Sequence, residues 1–319
     1  MEKQRMWNRF VSRFRIDEII SLAFVCLGIL APLALYFLAE SFSIERADLI
    51  DNLISALLTL IFMLSFLWLI SSFPQRTLIL RDFAPFLFII AIYLRIHDLI
   101  LLLNPEDFHF ALADLEALLF GVQPTVWMEQ YYHPVLTDWF AVAYMHYYLV
   151  TLTLVIMLYV QNRSAAFRKL MLTMMMTYYL GFMGYLLFPA ASPYLVMPEA
   201  YSVDVWANTG FPSRLLQWIV SLSPSRARDA FPSLHNAITF LTLLAAWRYS
   251  RPFFWIQLPF ALSLSLATVY LRYHFVLDIF AGLLVVSAAI YVAPILENWW
   301  LQKQEALSKP SDAESLSGV

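Results

Sequence analysis

Residues 275–299 read FVLDIFAGLLVVSAAIYVAPILENW, an apolar run whose only charges, Asp278 and Glu297, lie toward its ends. A helix needs about 20 such residues, at about 1.5 Å each, to cross the hydrocarbon core of a bilayer. Working back along the chain, runs of the same kind recur near 17–39, 50–73, 83–103, 136–161, 167–188, 232–249 and 252–272. The eight together predict an all-α polytopic membrane bundle of about eight transmembrane helices. Composition agrees: 61% of the 319 residues are hydrophobic and 13% charged, and mean hydropathy is +0.68. A soluble fold would lack the polar surface to cover so much apolar mass. A formal net charge of -3 and the absence of any long basic block speak against nucleic acid as a partner.

Arg5, Arg9, Arg13 and Arg15 precede the first run, as in a signal peptide. The run is long and lacks a small-residue cleavage site, so it reads as an uncleaved helix. Positive charge is retained on the cytoplasmic side during insertion. With the N-terminus inside, fourteen of the twenty Lys and Arg residues fall in cytoplasmic segments and five fall outside. Those five are Arg46, Arg214, Arg226, Arg228 and Arg272, while Arg95 lies within a span. Both termini are therefore expected in the cytoplasm. Three units follow: residues 1–82, with two accessory spans; 83–301, a six-span core; and 302–319, a polar tail expected to be disordered.

Two long segments, 104–135 and 189–234, face the outside in this arrangement. In the first, Phe108 to Phe120 has helical apolar spacing and predicts an interfacial helix. The second carries prolines at 189, 193, 198, 212 and 224, which exclude one continuous helix, and a short helix is expected near Arg214 to Leu222. Cys26, the one cysteine, reads as a small core residue in an apolar run.

Chemistry concentrates where the second outer segment re-enters the membrane. Ala230-Phe231-Pro232-Ser233-Leu234-His235 leads into the sixth span, whose first-turn N–H groups form an anion site beside His235. The seventh span ends in Tyr270-Leu271-Arg272-Tyr273-His274-Phe275-Val276-Leu277-Asp278. His274 and Asp278 are four apart and share a helical face, so the carboxylate can hold one ring nitrogen and leave the other free. His235 and His274 fall at the same membrane face by topology. Two imidazoles, a carboxylate and arginines suit phosphoryl-type transfer: Arg226, Arg228, Arg272 and the Ser233 region would hold phosphate oxygens, His274 would attack phosphorus, and His235 would protonate the departing oxygen. Two other readings use the same residues. One is a structural polar cluster at a span end, and the other a zinc site of two His and one Asp.

At these positions the chain resembles the type-2 phosphatidic acid phosphatase superfamily, most closely its inositol phosphorylceramide synthase branch. Phe231-Pro232-Ser233-Leu234-His235, Tyr270-Leu271-x-x-His274-x-x-x-Asp278 and the Phe188-Pro189 segment ahead of the long loop carry the likeness, over roughly residues 130–285. The resemblance implies a phosphohistidine route without metal or other cofactor, with His235, His274 and Asp278 in the roles argued above. It also implies a phospholipid donor and a lipid acceptor, phosphatidylinositol and ceramide if it extends to substrate. A phosphatase acting on phosphatidate or a polyprenyl pyrophosphate would use the same pair, and a transporter without catalysis is a reading of another class. The chain departs from the phosphatase pattern twice. No Lys-x6-Arg-Pro motif is visible, and Thr268 stands where the third motif has arginine.

Elsewhere, Arg95, His97, Asp98 and His146 sit at depths where ionisable groups usually face a cavity or one another. Arg95 and Asp98 are spaced to pair, and His146, Tyr147 and Arg95 are candidates for a pocket. His109 and His133 read as interfacial residues, Met171, Met174, Met175 and Met176 as packing, and Trp299 and Trp300 as a membrane-interface belt.

Overall fold

The computed structural model describes residues 14–42, 46–73, 78–222 and 228–308. The long apolar runs form helices α1 (Ile16–Phe42), α2 (Arg46–Ser72) and α3 (Leu78–Leu103), then α5 (Pro134–Val160) and α6 (Ser164–Leu187), and finally α8 (Leu234–Tyr249), α9 (Arg251–Tyr270) and α10 (Val276–Ser308). Between them lie two shorter helices, α4 (His109–Phe120) and α7 (Phe211–Ser221), at the places where the outer segments predict them. Among the described residues, seven helices are long and apolar enough to cross a membrane, and the chain is an integral membrane protein.

The expected span at 232–249 is the exception. Pro232 and Ser233 belong to the turn and cap that precede α8, leaving a helix of 16 residues. That is about 24 Å, short of a bilayer core. It is not left to cross lipid alone, because α8 packs against α5, α6, α9 and α10.

The core gathers around α6, whose Met171, Met174, Met175 and Phe182 are almost wholly buried. They meet Phe88, Ile92 and Ile96 of α3, Leu154 and Leu158 of α5, Ala237 and Ile238 of α8, and Val286 and Ala289 of α10. The outside of the bundle is equally apolar: Leu30, Phe37, Trp68, Leu94, Leu284 and Tyr291 are exposed. A bundle that is hydrophobic on both sides is built for lipid as solvent. Cys26 belongs to this outer surface, not to the core. An apolar run does not distinguish the lipid-facing stripe from the packed one.

Two other details differ from the expectation. The last helix runs on through Lys303 to Ser308, so part of the polar tail is helical, and residues 309–319 lie outside the described residues. Only Trp299 of the closing pair is open, whereas Trp300 is buried and its indole donates to the Phe14 carbonyl at 3.0 Å.

Candidate active site

The ends of α3, α6 and α9 and the beginnings of α5, α8 and α10 meet at one end of the bundle. Two segments are drawn together there. The backbone N–H of Ser233 donates to the Asp278 carbonyl at 2.9 Å, tying the turn before α8 to the first turn of α10. Gly282, one turn further along α10, makes this approach possible, because a Cβ there would lie 2.4 Å from the Ser233 carbonyl oxygen. Ser233 is wholly buried and caps α8, taking the Asn236 side-chain amide at 3.1 Å. The peptide bond between Phe231 and Pro232 is cis.

This arrangement lines up a chain of side chains. His274 Nδ1 lies 3.1 Å from Asp278 Oδ2, His274 Nε2 lies 3.3 Å from His235 Nδ1, and His235 Nε2 lies 3.1 Å from the Tyr144 hydroxyl. With Asp278 ionised, one proton assignment satisfies every contact. Nδ1–H of His274 donates to Asp278, Nδ1–H of His235 donates to the bare Nε2 of His274, and Tyr144 donates to Nε2 of His235. The lone pair that results on His274 Nε2 is the one a nucleophile needs. Burial, only partly offset by Asp229 and the Ala230 backbone, pushes the His274 imidazole down to about 4, so it is neutral at ordinary pH.

Asp278 also accepts the Phe275 N–H at 2.9 Å, and its other oxygen is buried without a hydrogen-bond partner. Behind it stands Glu116 of α4, also fully buried, which accepts the Leu277 N–H at 2.9 Å at the start of α10. Burial, and Asp278 nearby, push the Glu116 carboxyl up to about 7 against the lowering effect of the Leu277 and Val276 N–H groups. The interfacial helix expected over 108–120 thus reaches the histidine site through a carboxylate.

The arginines expected at the phosphate have other partners. Arg228 donates to the carbonyls of Asn104, at 2.9 Å, and Glu106. Its Nε comes within 2.7 Å of Asp107 as an ion pair without hydrogen-bond alignment. Arg272 has a φ of 63°, the left-handed region that a side chain rarely adopts. It is held there by Glu129 and the Val203 carbonyl, each at 2.7 Å, and lies over the Tyr201 ring at 3.8 Å. Burial alone would push the Glu129 carboxyl up, but bonds from Ser202 and Val203, together with Arg272, hold it below the usual range. Arg226 lies outside the described residues.

The pocket candidates divide. Tyr147 packs on His235 with ring centroids 4.6 Å apart, and its hydroxyl meets that of Tyr178 at 2.7 Å. His146 bonds Gln257 of α9 beside a small cavity between α5, α8 and α9 that Tyr147 and Thr239 also line. Arg95 is exposed on α3, and no ion pair joins it to Asp98 among the described residues. His133 caps α5, and His109 is buried beneath the Ala191 N–H. The sequence reading missed Asp229, which takes the Tyr93 hydroxyl at 2.9 Å, and gave no role to Tyr144 or Glu116. Tyr144 and Glu116 are brought in from other elements, Asp229 finds its partner on α3, and no local spacing marks any of them.

No group of three or more His, Cys, Asp or Glu side chains among the described residues is placed to hold a metal ion. The site as built offers a lone pair on one imidazole, a second imidazole in hydrogen-bond contact with it and a carboxylate behind the first, the requirements of acid–base-assisted nucleophilic attack. The sequence model described as the PAP2 superfamily matches residues 111–292, more than half of the chain, a range that holds both histidines and Asp278. No curated protein and no solved structure matches the chain.

Proposed function

The chain belongs to the PAP2 superfamily, and from that membership we propose a lipid phosphotransferase that works through a covalent intermediate on His274. It moves a phosphate-bearing head group, of the inositol phosphate type, from a phospholipid to a lipid hydroxyl such as that of ceramide. The observation that carries this reading is the contact from His235 through His274 to Asp278, at 3.3 and 3.1 Å.

In the first step the lone pair of His274 Nε2 attacks phosphorus. A P–N bond forms and the bond from phosphorus to the diacylglycerol oxygen breaks. His235, once it has taken a proton from solvent at Nε2 in place of the Tyr144 contact, gives that oxygen the proton, while Asp278 steadies the positive charge growing on His274. In the second step the acceptor hydroxyl passes its proton to His235 and attacks phosphorus, and His274 leaves as neutral imidazole. Arg228 and Arg272 serve here by fixing the loops over the site, and the first-turn N–H groups of α8 supply donors to phosphate oxygens. By the distribution of Lys and Arg, the site lies on the non-cytoplasmic face and both termini lie inside.

Mass spectrometry of lipids after incubation of the purified protein with phosphatidylinositol, with and without ceramide, tests this. The expected products are diacylglycerol and a phosphorylated ceramide that carries inositol. Diacylglycerol with free inositol phosphate, indifferent to ceramide, would replace transfer with hydrolysis. Retention of the donor in both mixtures would overturn the substrate assignment.

A further inference from the structure

We infer that Asp229, His97 and Tyr93 form a subsite for hydroxyl groups on the head group that travels with the phosphate. That head group is therefore a polyol or sugar-like ring and not a quaternary ammonium. The inference rests on the transfer reading above and assigns the residues that choose among donors.

Asp229 lies beside α3, in the segment that leads into α8, with 19% of its side chain open. Tyr93 fills one lone pair of Oδ2 at 2.9 Å. His97, one turn further along α3, brings Nε2 to 3.8 Å from the same oxygen, too far for a hydrogen bond. Both ring nitrogens of His97 are buried and hydrogen-bond to nothing in the protein. Buried polar groups left unmet in this way are costly, and a ligand that meets them gains by it.

A ligand that satisfies this set must donate to the Asp229 carboxylate and also exchange hydrogen bonds with the His97 ring. A hydroxyl does both, donating to Asp229 and accepting from His97, and neighbouring hydroxyls on one ring would reach the two side chains together. A trimethylammonium group has no N–H and no acceptor, and would leave both His97 nitrogens unpaired.

The subsite borders the reaction centre. Asp229 precedes Ala230, whose backbone contacts the His274 ring, and it acts electrostatically on both His235 and His274. Tyr144, Tyr148, Tyr185 and Tyr194 lie within its field as well.

Binding separates this subsite from the chemistry. The protein in nanodiscs is titrated with dioleoyl phosphatidylinositol and with dioleoyl phosphatidylcholine, as wild type, His274→Ala, His97→Phe and Asp229→Asn. A site built to hydrogen-bond hydroxyls discriminates strongly against a ligand that lacks them, so wild type and His274→Ala are expected to bind phosphatidylinositol at least about tenfold more tightly. His97→Phe and the nearly isosteric Asp229→Asn should bring the two affinities within about twofold. An unchanged preference in both variants, or no preference in wild type, overturns the subsite. If His274→Ala keeps full turnover, the transfer reading falls, while loss of preference in His97→Phe would still uphold the subsite.

Discussion

The two ends of the bundle handle buried charge in opposite ways. At the end away from the histidines, charges are matched across helices: Arg15 with Asp82 at 2.7 Å, Arg81 with Glu18 at 2.7 Å, and Arg168 with Asp17 at 2.5 Å and Glu297 at 3.2 Å. These pairs join α1, α3, α6 and α10, and within them only Asp17 Oδ2 is buried without a partner. At the histidine end, arginines are paired too, but only in the surrounding loops. The centre itself keeps Asp278, Glu116 and His97 with buried atoms that nothing in the protein satisfies. A matched network holds helices in register; an unmatched one stores interaction energy for a ligand.

Removing one group from each end separates the two arrangements. His274→Ala should lower turnover by about 10³-fold or more, the scale of losing a covalent nucleophile, with little change in melting temperature. Full activity in the variant would sink the nucleophile assignment. At the other end, Arg168→Met strands the Asp17 carboxylate, which is 2% exposed. Breaking a buried pair from one side costs about 3–5 kcal/mol, so the melting temperature in detergent should fall steeply while kcat of the surviving protein stays near wild type. Loss of kcat without loss of stability would remove the division of labour between the two ends.

The pH dependence is a smaller test of the histidine end. Attack needs neutral imidazole, and burial favours the neutral form, which puts His274 down to about 4. His274-dependent activity, read as kcat/KM, should therefore survive as pH falls through the usual histidine range near 6.5 and be lost only as pH approaches about 4, where the acid limb is centred. A limb centred near 6.5 that vanishes in no other variant would mean that His274 is more solvated than its packing indicates.

How much of this was legible in the sequence follows from the range of the interactions. The spans, the interfacial helix and the His274–Asp278 pair each depend on residues within one helix or one turn, and periodicity or spacing exposes them. Joining His235 to His274 needed only topology, since both fall at the same end of consecutive spans. The roles of Arg228 and Arg272 were not legible, because their partners, Asp107 and Glu129, lie 121 and 143 residues away in another loop. Asp229 was hidden for the same reason: its contact is Tyr93, 136 residues distant. The length of α8 was misjudged because a proline and a cap are apolar or small enough to pass as the start of a span.

Glu116 offers the finest cut, because it sits behind the Asp278 carboxylate without touching the imidazoles. Burial raises it to about 7 from the ordinary 4.5, so between those values the folded chain holds a proton that the unfolded chain releases. Its contribution to stability is then complete below about 4.5 and is lost as pH rises through about 7. Glu116→Gln keeps an acceptor for the Leu277 N–H and cannot ionise. Wild-type melting temperature should therefore fall between pH 5 and pH 8 by more than that of the variant, a difference worth about 2 kcal/mol. If the two curves run parallel, Glu116 is already ionised in the folded protein. The first turn of α10 would then face two charged carboxylates, held by the N–H groups of Phe275 and Leu277.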